Sequence, residues 1–207
     1  QSFINYSRDR PVKQSRSSDT RKRIVSAARE LFQSKGFDGT SVAEICRKAG
    51  VSNGALFHQF PTKEALGFAV YSQVRAEFWD RVMQAMTSPA DPLEGVEAAV
   101  KAAFAFQAED PGGAEFMFDV SGSKWIEDFA DESQDLRNAI SKHGQAWAQP
   151  HIMAGRLPPV PADVFVALAS GAPQWLGRMS RIGMTVTPLD EVAEQMPAYV
   201  RRAFTPQ

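Results

Sequence analysis

Residues 41–66 read SVAEICRKAGVSNGALFHQFPTKEAL, and their reading decides the fold. Ser41, followed by Glu44 and then the apolar Ile45, predicts a capping box. The Ser hydroxyl takes one orphan backbone N–H, and the Glu carboxylate reaches back to another. Val42, Ile45 and Ala49 recur at helical spacing and form the buried stripe of a short helix. Gly50 ends that helix as a residue that tolerates a left-handed C-cap. Val51 plugs the turn, and Ser52 caps the next helix. Leu56 and Phe60, four apart, give that helix its inner face. Pro61 stops it, and Thr62 caps a further helix with Glu64 in its first turn. Two short helices across a tight turn are how a protein sets one helix into a major groove.

The outward positions of the helix after Ser52 are Asn53, Gly54, Ala55, Phe57, His58 and Gln59. Gly54 costs a helix about 1 kcal/mol against Ala. That cost is intelligible if another surface must approach the backbone closely. Asn53 can pair with two groups on an adenine edge. His58, Gln59 and Lys63 are donors of the kind that hold phosphates. Lys63 with the capped start of its helix makes a small anion site. On spacing alone, an ordinary helical hairpin inside an all-α domain stays open as the alternative.

Upstream of this stretch the chain reads RIVSAARELFQSKGFDGT over residues 23–40. A first helix with Ala-Ala and Leu-Phe leads to a Lys-Gly-Phe turn. Ala-Gly-Val-Ser then precedes the recognition helix, and Leu-Phe-His-Gln-Phe and Thr-Lys-Glu-Ala-Leu close the pattern. With these matches in order, Thr20 to Leu66 resembles the DNA-binding domain of the TetR family of bacterial transcriptional regulators. The resemblance implies that Ser41 bonds a phosphate from the start of the second helix. It implies that Ser52, Asn53, Gly54 and Ala55 face bases or nearby backbone, and that Phe57, His58 and Lys63 meet phosphate and sugar. The family most often has Tyr where this chain has Phe57, which removes one hydroxyl donor and leaves apolar contact.

The charge is divided along the chain. Residues 1–63 hold twelve Lys and Arg against five Asp and Glu, a net +7, and the remainder carries −8, inside a total of −1. A basic end on an acidic body fits a DNA-binding head joined to a domain with another task. The single cysteine, Cys46, excludes an internal disulfide and a Cys-based metal site, and reads as a small core thiol, with a redox sensor as the alternative. No apolar run resembles a signal peptide or is long enough to span a bilayer, so a cytoplasmic protein is expected.

The predicted fold is all-α: an N-terminal three-helix helix-turn-helix DNA-binding domain plus a larger helical ligand-binding and dimerisation domain, about nine helices in all. Residues 1–18 read as a flexible basic arm, 19–66 as the head, and 67–207 as the body. The first helix is expected from Asp19 or Thr20, with Ile24, Ala27, Ala28, Leu31 and Phe32 inward. A long helix from Thr62 to about Met86 bridges head and body. Helices follow at 93–108, broken by Asp110-Pro-Gly-Gly, then a short helix, a Ser-Gly-Ser loop and another short helical piece within 114–130. The last three span 132–153, 162–179 and 188–204, with a kink at Pro150 in the first of them and another from Pro173.

The body is rich in large aromatics, which suit a pocket for an apolar or aromatic effector. The resemblance implies such a pocket among the middle helices, and the candidate contacts are Phe78, Phe104, Met117, Trp125, His143, Trp147 and Trp175. The alternative for each is plain core. The last two helices carry apolar faces at helical spacing. In the resembled family they pair with the same two of a second chain, which points to Leu168, Ala172, Trp175, Met179, Val192, Met196 and Val200 as a homodimer interface. No Gly-rich phosphate loop, nucleophile elbow or HExxH run is present. His143 and His151 are eight apart with no carboxylate at the turn between them. The reading is therefore no enzyme, no cofactor, no metal and no membrane partner. It is a ligand-responsive repressor that binds a double-stranded, palindromic operator as a homodimer. An activator or nonspecific DNA-binding protein with the same head, or a helical small-molecule-binding protein or enzyme, are the rival readings.

Overall fold

The computed structural model describes residues 15–206, and among these there is helix and no strand. The helices are α1 (Ser15–Lys35), α2 (Val42–Ala49), α3 (Asn53–Gln59), α4 (Lys63–Thr87), α5 (Pro92–Glu109), α6 (Pro111–Ser121), α7 (Ala130–Met153), α8 (162–181) and α9 (Leu189–Ala203). A 3-10 segment, Lys124–Phe129, joins α6 to α7. None of the helices is long and apolar enough to cross a membrane. The basic arm expected at 1–18 lies outside the described residues as far as residue 14. Residues 15–18 form the first turn of α1, earlier than the expected start, since no proline or glycine stands between Ser15 and Lys35 to stop the helix.

The chain forms two compact units. One gathers the described residues through Arg75 with Gly112–Ala130; the other gathers Ala76–Pro111 with Asp131 onward. The first unit is built on the α1 stripe. Ile24, Ala27, Ala28 and Phe32 are buried with Ile45, Leu56, Phe60, Leu66 and Val70. It also holds a chain of aromatic rings. Phe32 stacks on Phe116 at 5.3 Å, Phe37 on Trp125 at 4.8 Å, and Phe68 on Phe129 at 4.6 Å between centroids. Phe116, Trp125 and Phe129 lie within the expected body, 67–207. They pack instead with α1 and the N-terminal half of α4, because α6 begins at once after Asp110. Pro111 presets the first turn, and Gly112 and Gly113 lie inside the helix rather than in a break. A Cβ at Gly112 would sit 3.0 Å from that of Gln33, so the glycine lets α6 approach α1 closely.

The second unit has its own core. Val96, Val100 and Phe104 of α5 meet Leu157, Ala169 of α8, and Val200 and Phe204 at the end of α9. Phe78 packs edge-on against Trp79 and Phe106. Arg201 ties α9 to α5 through Asp91 at 3.5 Å and Glu97 at 3.6 Å. The expected kink in α8 takes the form of a π turn, Ala167–Gly171. Pro173 lacks an N–H, so the helix widens before it, and Ala172 N–H donates to Ala167 five residues back. At Pro150, where a kink is expected, α7 continues as one helix to Met153.

Candidate nucleic-acid interface

Both caps predicted around α2 are present. Ser41 Oγ accepts from the Glu44 N–H at 3.2 Å, and the Glu44 carboxylate accepts from the Ser41 N–H at 2.9 Å. Gly50 takes the left-handed C-cap at φ +63°. Ser52 Oγ accepts from the Ala55 N–H at 3.2 Å to start α3, and Thr62 Oγ1 accepts from the Ala65 N–H at 3.0 Å to start α4. Leu56 and Phe60 are buried beneath α3. Cys46 is buried too, and burial pushes its thiol pKa up, as a core thiol requires.

Capping and burial of Leu56 leave the opposite side of α3 in solvent. Ser52, Asn53, Gly54, Phe57 and His58 are exposed, and Ala55 is half-buried. Phe57 is 46% exposed although it is a large apolar side chain. A Cβ added at Gly54 would meet only Ser52 Oγ, 4.0 Å away, and Gly54 is not among the glycines with positive φ. Neither space nor backbone conformation inside the protein requires a glycine there. Gln59, grouped with the phosphate donors by its chemistry, is used internally: its Nε2 donates to Ser17 Oγ at 3.0 Å. Arg21 lies over the Phe60 ring at 4.4 Å. Ser17 and Arg21 are one turn apart on α1, and both brace the C-terminal end of α3. Their i, i+4 spacing was the available signal, but it does not name α3 as the partner.

Ser41 is exposed, and its hydroxyl also donates to Glu44 Oε2 at 2.8 Å. A phosphate at the start of α2 must share that proton. Lys35, 2.5 Å from Glu44 Oε1, together with the Ser41 N–H and hydroxyl, holds the Glu44 carboxyl down at about 2. A depressed carboxylate contributes stability that is complete above its unfolded value of 4.5 and is lost as pH falls through about 2. Glu44→Gln is therefore expected to flatten the acid limb of a melting-temperature profile below pH 4.5; an unchanged limb would assign that loss to other groups. Lys63, the last of the expected DNA contacts, is half-buried, with its Nζ over the Phe37 ring at 4.4 Å.

Residues 24–70 match the family model described as bacterial regulatory proteins, tetR family. These residues form a TetR-family helix-turn-helix domain. Among TetR-family structures, that of a putative transcription regulator from Shewanella sp. PV-4 superposes with a TM-score of 0.68 at 26% identity, covering 91% of this chain and 99% of that one. A TetR family transcription regulator from Marinobacter aquaeolei gives a TM-score of 0.73 at 20% identity over 93% and 98% of the two chains, which shows the shared fold. Of curated TetR-type relatives, the HTH-type transcriptional regulator LmrA of Bacillus subtilis is 33% identical over 84 residues, 40% of this chain. The match spans 45% of that relative's length.

The seven candidate effector contacts fall in different units. Met117 and Trp125 belong to the first, and Phe78, Phe104, His143, Trp147 and Trp175 to the second. Phe78, Phe104 and Met117 are buried. Trp147 is half-buried and meets His151 edge-on at 5.2 Å. His143 is exposed, and its Nδ1 donates to the Ala139 carbonyl at 2.7 Å. Of the expected interface residues, Trp175 is 54% exposed and Val200 is buried in its own core. Leu168, Val192 and Met196 pack half-buried against that core, and Ala172 and Met179 are half-buried. On α9 the large exposed apolar side chain is Tyr199, one residue before Val200. Among the described residues no group of three or more His, Cys, Asp or Glu is arranged to hold a metal.

Proposed function

We propose that this chain is a transcriptional regulator that binds double-stranded operator DNA as a homodimer and acts as a ligand-responsive repressor in the bacterial cytoplasm. The observation that carries the reading is the solvent face of α3. Asn53, Gly54, Phe57 and His58 stand exposed on a short helix capped by Ser52 and anchored by Leu56. A helix held by its back and bare on its front is suited to a groove. The likeness to LmrA, an HTH-type transcriptional regulator, supports the same class.

Homodimerisation is supported by where large apolar side chains remain in solvent. Val164 and Trp175 of α8, Ile182, Met184 and Val186 after it, and Tyr199 of α9 are all exposed. Such a concentration marks an association surface more often than an ordinary one. Two heads about a twofold axis then read a palindrome with half-sites about 34 Å apart or a multiple of that. The effector is proposed as apolar or aromatic. It acts only through unequal affinity for two conformations, of which one presents the heads at the spacing DNA requires.

The test is selection of bound fragments from genomic DNA, followed by footprinting and light scattering of the complex. A discrete palindromic footprint from a dimer is expected. Uniform protection with no site would replace the operator reading with nonspecific binding. Roles within the head separate by substitution. Lys63→Ala is expected to weaken binding to every sequence and lower the salt slope by about one per head. Asn53→Ala is expected to change which base is preferred, at a cost of about 1–3 kcal/mol for the best site. Identical, sequence-blind losses in both variants would erase the distinction.

A further inference from the structure

We propose that Trp125 is a positioning residue for Lys63, acting through Phe37. The inference rests on the reading of Lys63 as a phosphate contact and adds a control to it that lies outside the helix-turn-helix. Three segments of the first unit meet here. Lys63 and Gly67 are one turn apart on α4, so they share a face. Phe37 follows α1, and Trp125 belongs to the Lys124–Phe129 segment. The Lys63 ammonium lies 4.4 Å from the centroid of the Phe37 ring. That ring stacks on Trp125, with centroids 4.8 Å apart and planes at 29°. Trp125 is itself held edge-on by Phe129 at 6.1 Å, and Phe129 stacks on Phe68.

Gly67 shows how closely the parts fit. A Cβ there would lie 2.6 Å from Phe37 Cε2 and 3.2 Å from Trp125 Cη2. The glycine opens a seat in α4 that the two rings fill together. Phe37 is half-buried, and without Trp125 it loses a wall of that seat. A lysine on a free stem samples many rotamers, whereas an ammonium over a ring face is confined yet keeps N–H donors for a phosphate. The aromatic pair therefore presents Lys63 ready to bind, and its loss returns the side chain to disorder.

The test is a double-mutant cycle on the full chain, with a mixed-sequence duplex at low salt as the probe. Trp125→Ala is expected to weaken binding about three- to ten-fold. Trp125→Phe should recover most of the loss, and Phe37→Leu, which keeps apolar bulk without a ring, should reproduce it. In a Lys63→Ala background, Trp125→Ala should have no further effect. A second readout needs no DNA: the Lys63 methylene proton resonances, shifted upfield by the Phe37 ring, should move toward free-lysine positions in Trp125→Ala and Phe37→Leu. Equal losses from Trp125→Ala with and without Lys63, or Lys63 resonances unmoved in Trp125→Ala, would overturn the proposal. A wild-type chain that binds no duplex would overturn the DNA reading instead, and the resonance measurement would still decide whether Trp125 positions Lys63.

Discussion

Gly54→Ala should make the protein more stable and a poorer DNA binder. Glycine inside a helix costs about 1 kcal/mol against alanine, because it has more conformational freedom to lose. An alanine methyl at this position would meet nothing of the protein nearer than Ser52 Oγ at 4.0 Å. The substitution should therefore recover much of that cost and raise the melting temperature by a few degrees, at about 2–4 °C per kcal/mol for a chain of this size. DNA binding should move the other way. If base edges or sugars approach the α3 backbone at Gly54, an added methyl overpacks that contact, at about 1–3 kcal/mol per head. Two heads double it, so operator affinity should fall by at least about tenfold. Melting curves and a binding titration on the same preparation settle the matter. An alanine variant that is stabilised and binds undiminished would mean that nothing approaches α3 there.

The contrast between what was readable in residues 41–66 and what was not has a physical basis. The caps of α2, α3 and α4 are local: Ser41 with Glu44, Ser52 with Ala55 and Thr62 with Ala65 are each three residues apart. Local chemistry leaves a local signature, and all three are found where the residue types put them. The buried stripe of α1 was legible for the same reason, since Ile24, Ala28 and Phe32 repeat at one helical turn. What escaped was the pairing of distant segments. Nothing in the spacing of Phe116, Trp125 and Phe129 says that they pack with Phe32, Phe37 and Phe68, and an aromatic surplus in the later chain looks like the lining of a pocket. The expected interface list met the same limit. Periodicity placed Val200 on the apolar side of α9, but only the packing tells that it is core while Tyr199 is bare.

A second glycine in a helix shows the opposite case. Gly95 lies in the first turn of α5 and is buried. A Cβ there would stand 2.4 Å from the backbone carbonyl oxygen of Met86, in the last turn of α4, and 3.1 Å from Trp147 Cζ2. A flexible side chain could swing away from such a methyl; a carbonyl in a helix terminus cannot do so without tilting the turn that carries it. Gly95→Ala gains the same helix-propensity term as Gly54→Ala, about 1 kcal/mol. Against it stands overpacking of about 1–3 kcal/mol at a contact with backbone, together with displacement of Trp147 from its seat. The net expectation is a loss of stability, read as a lower urea midpoint, with a changed environment for Trp147 in the emission spectrum. Met83 and Met86, buried on the same turns of α4, should shift with it. A variant as stable as the parent would mean that α4 and α5 slide past one another at little cost. The same change, glycine to alanine inside a helix, thus carries opposite signs at the two positions. The carbonyl that would meet the new methyl at Gly95 belongs to the protein itself, whereas the surface that would meet it at Gly54 must come from another molecule.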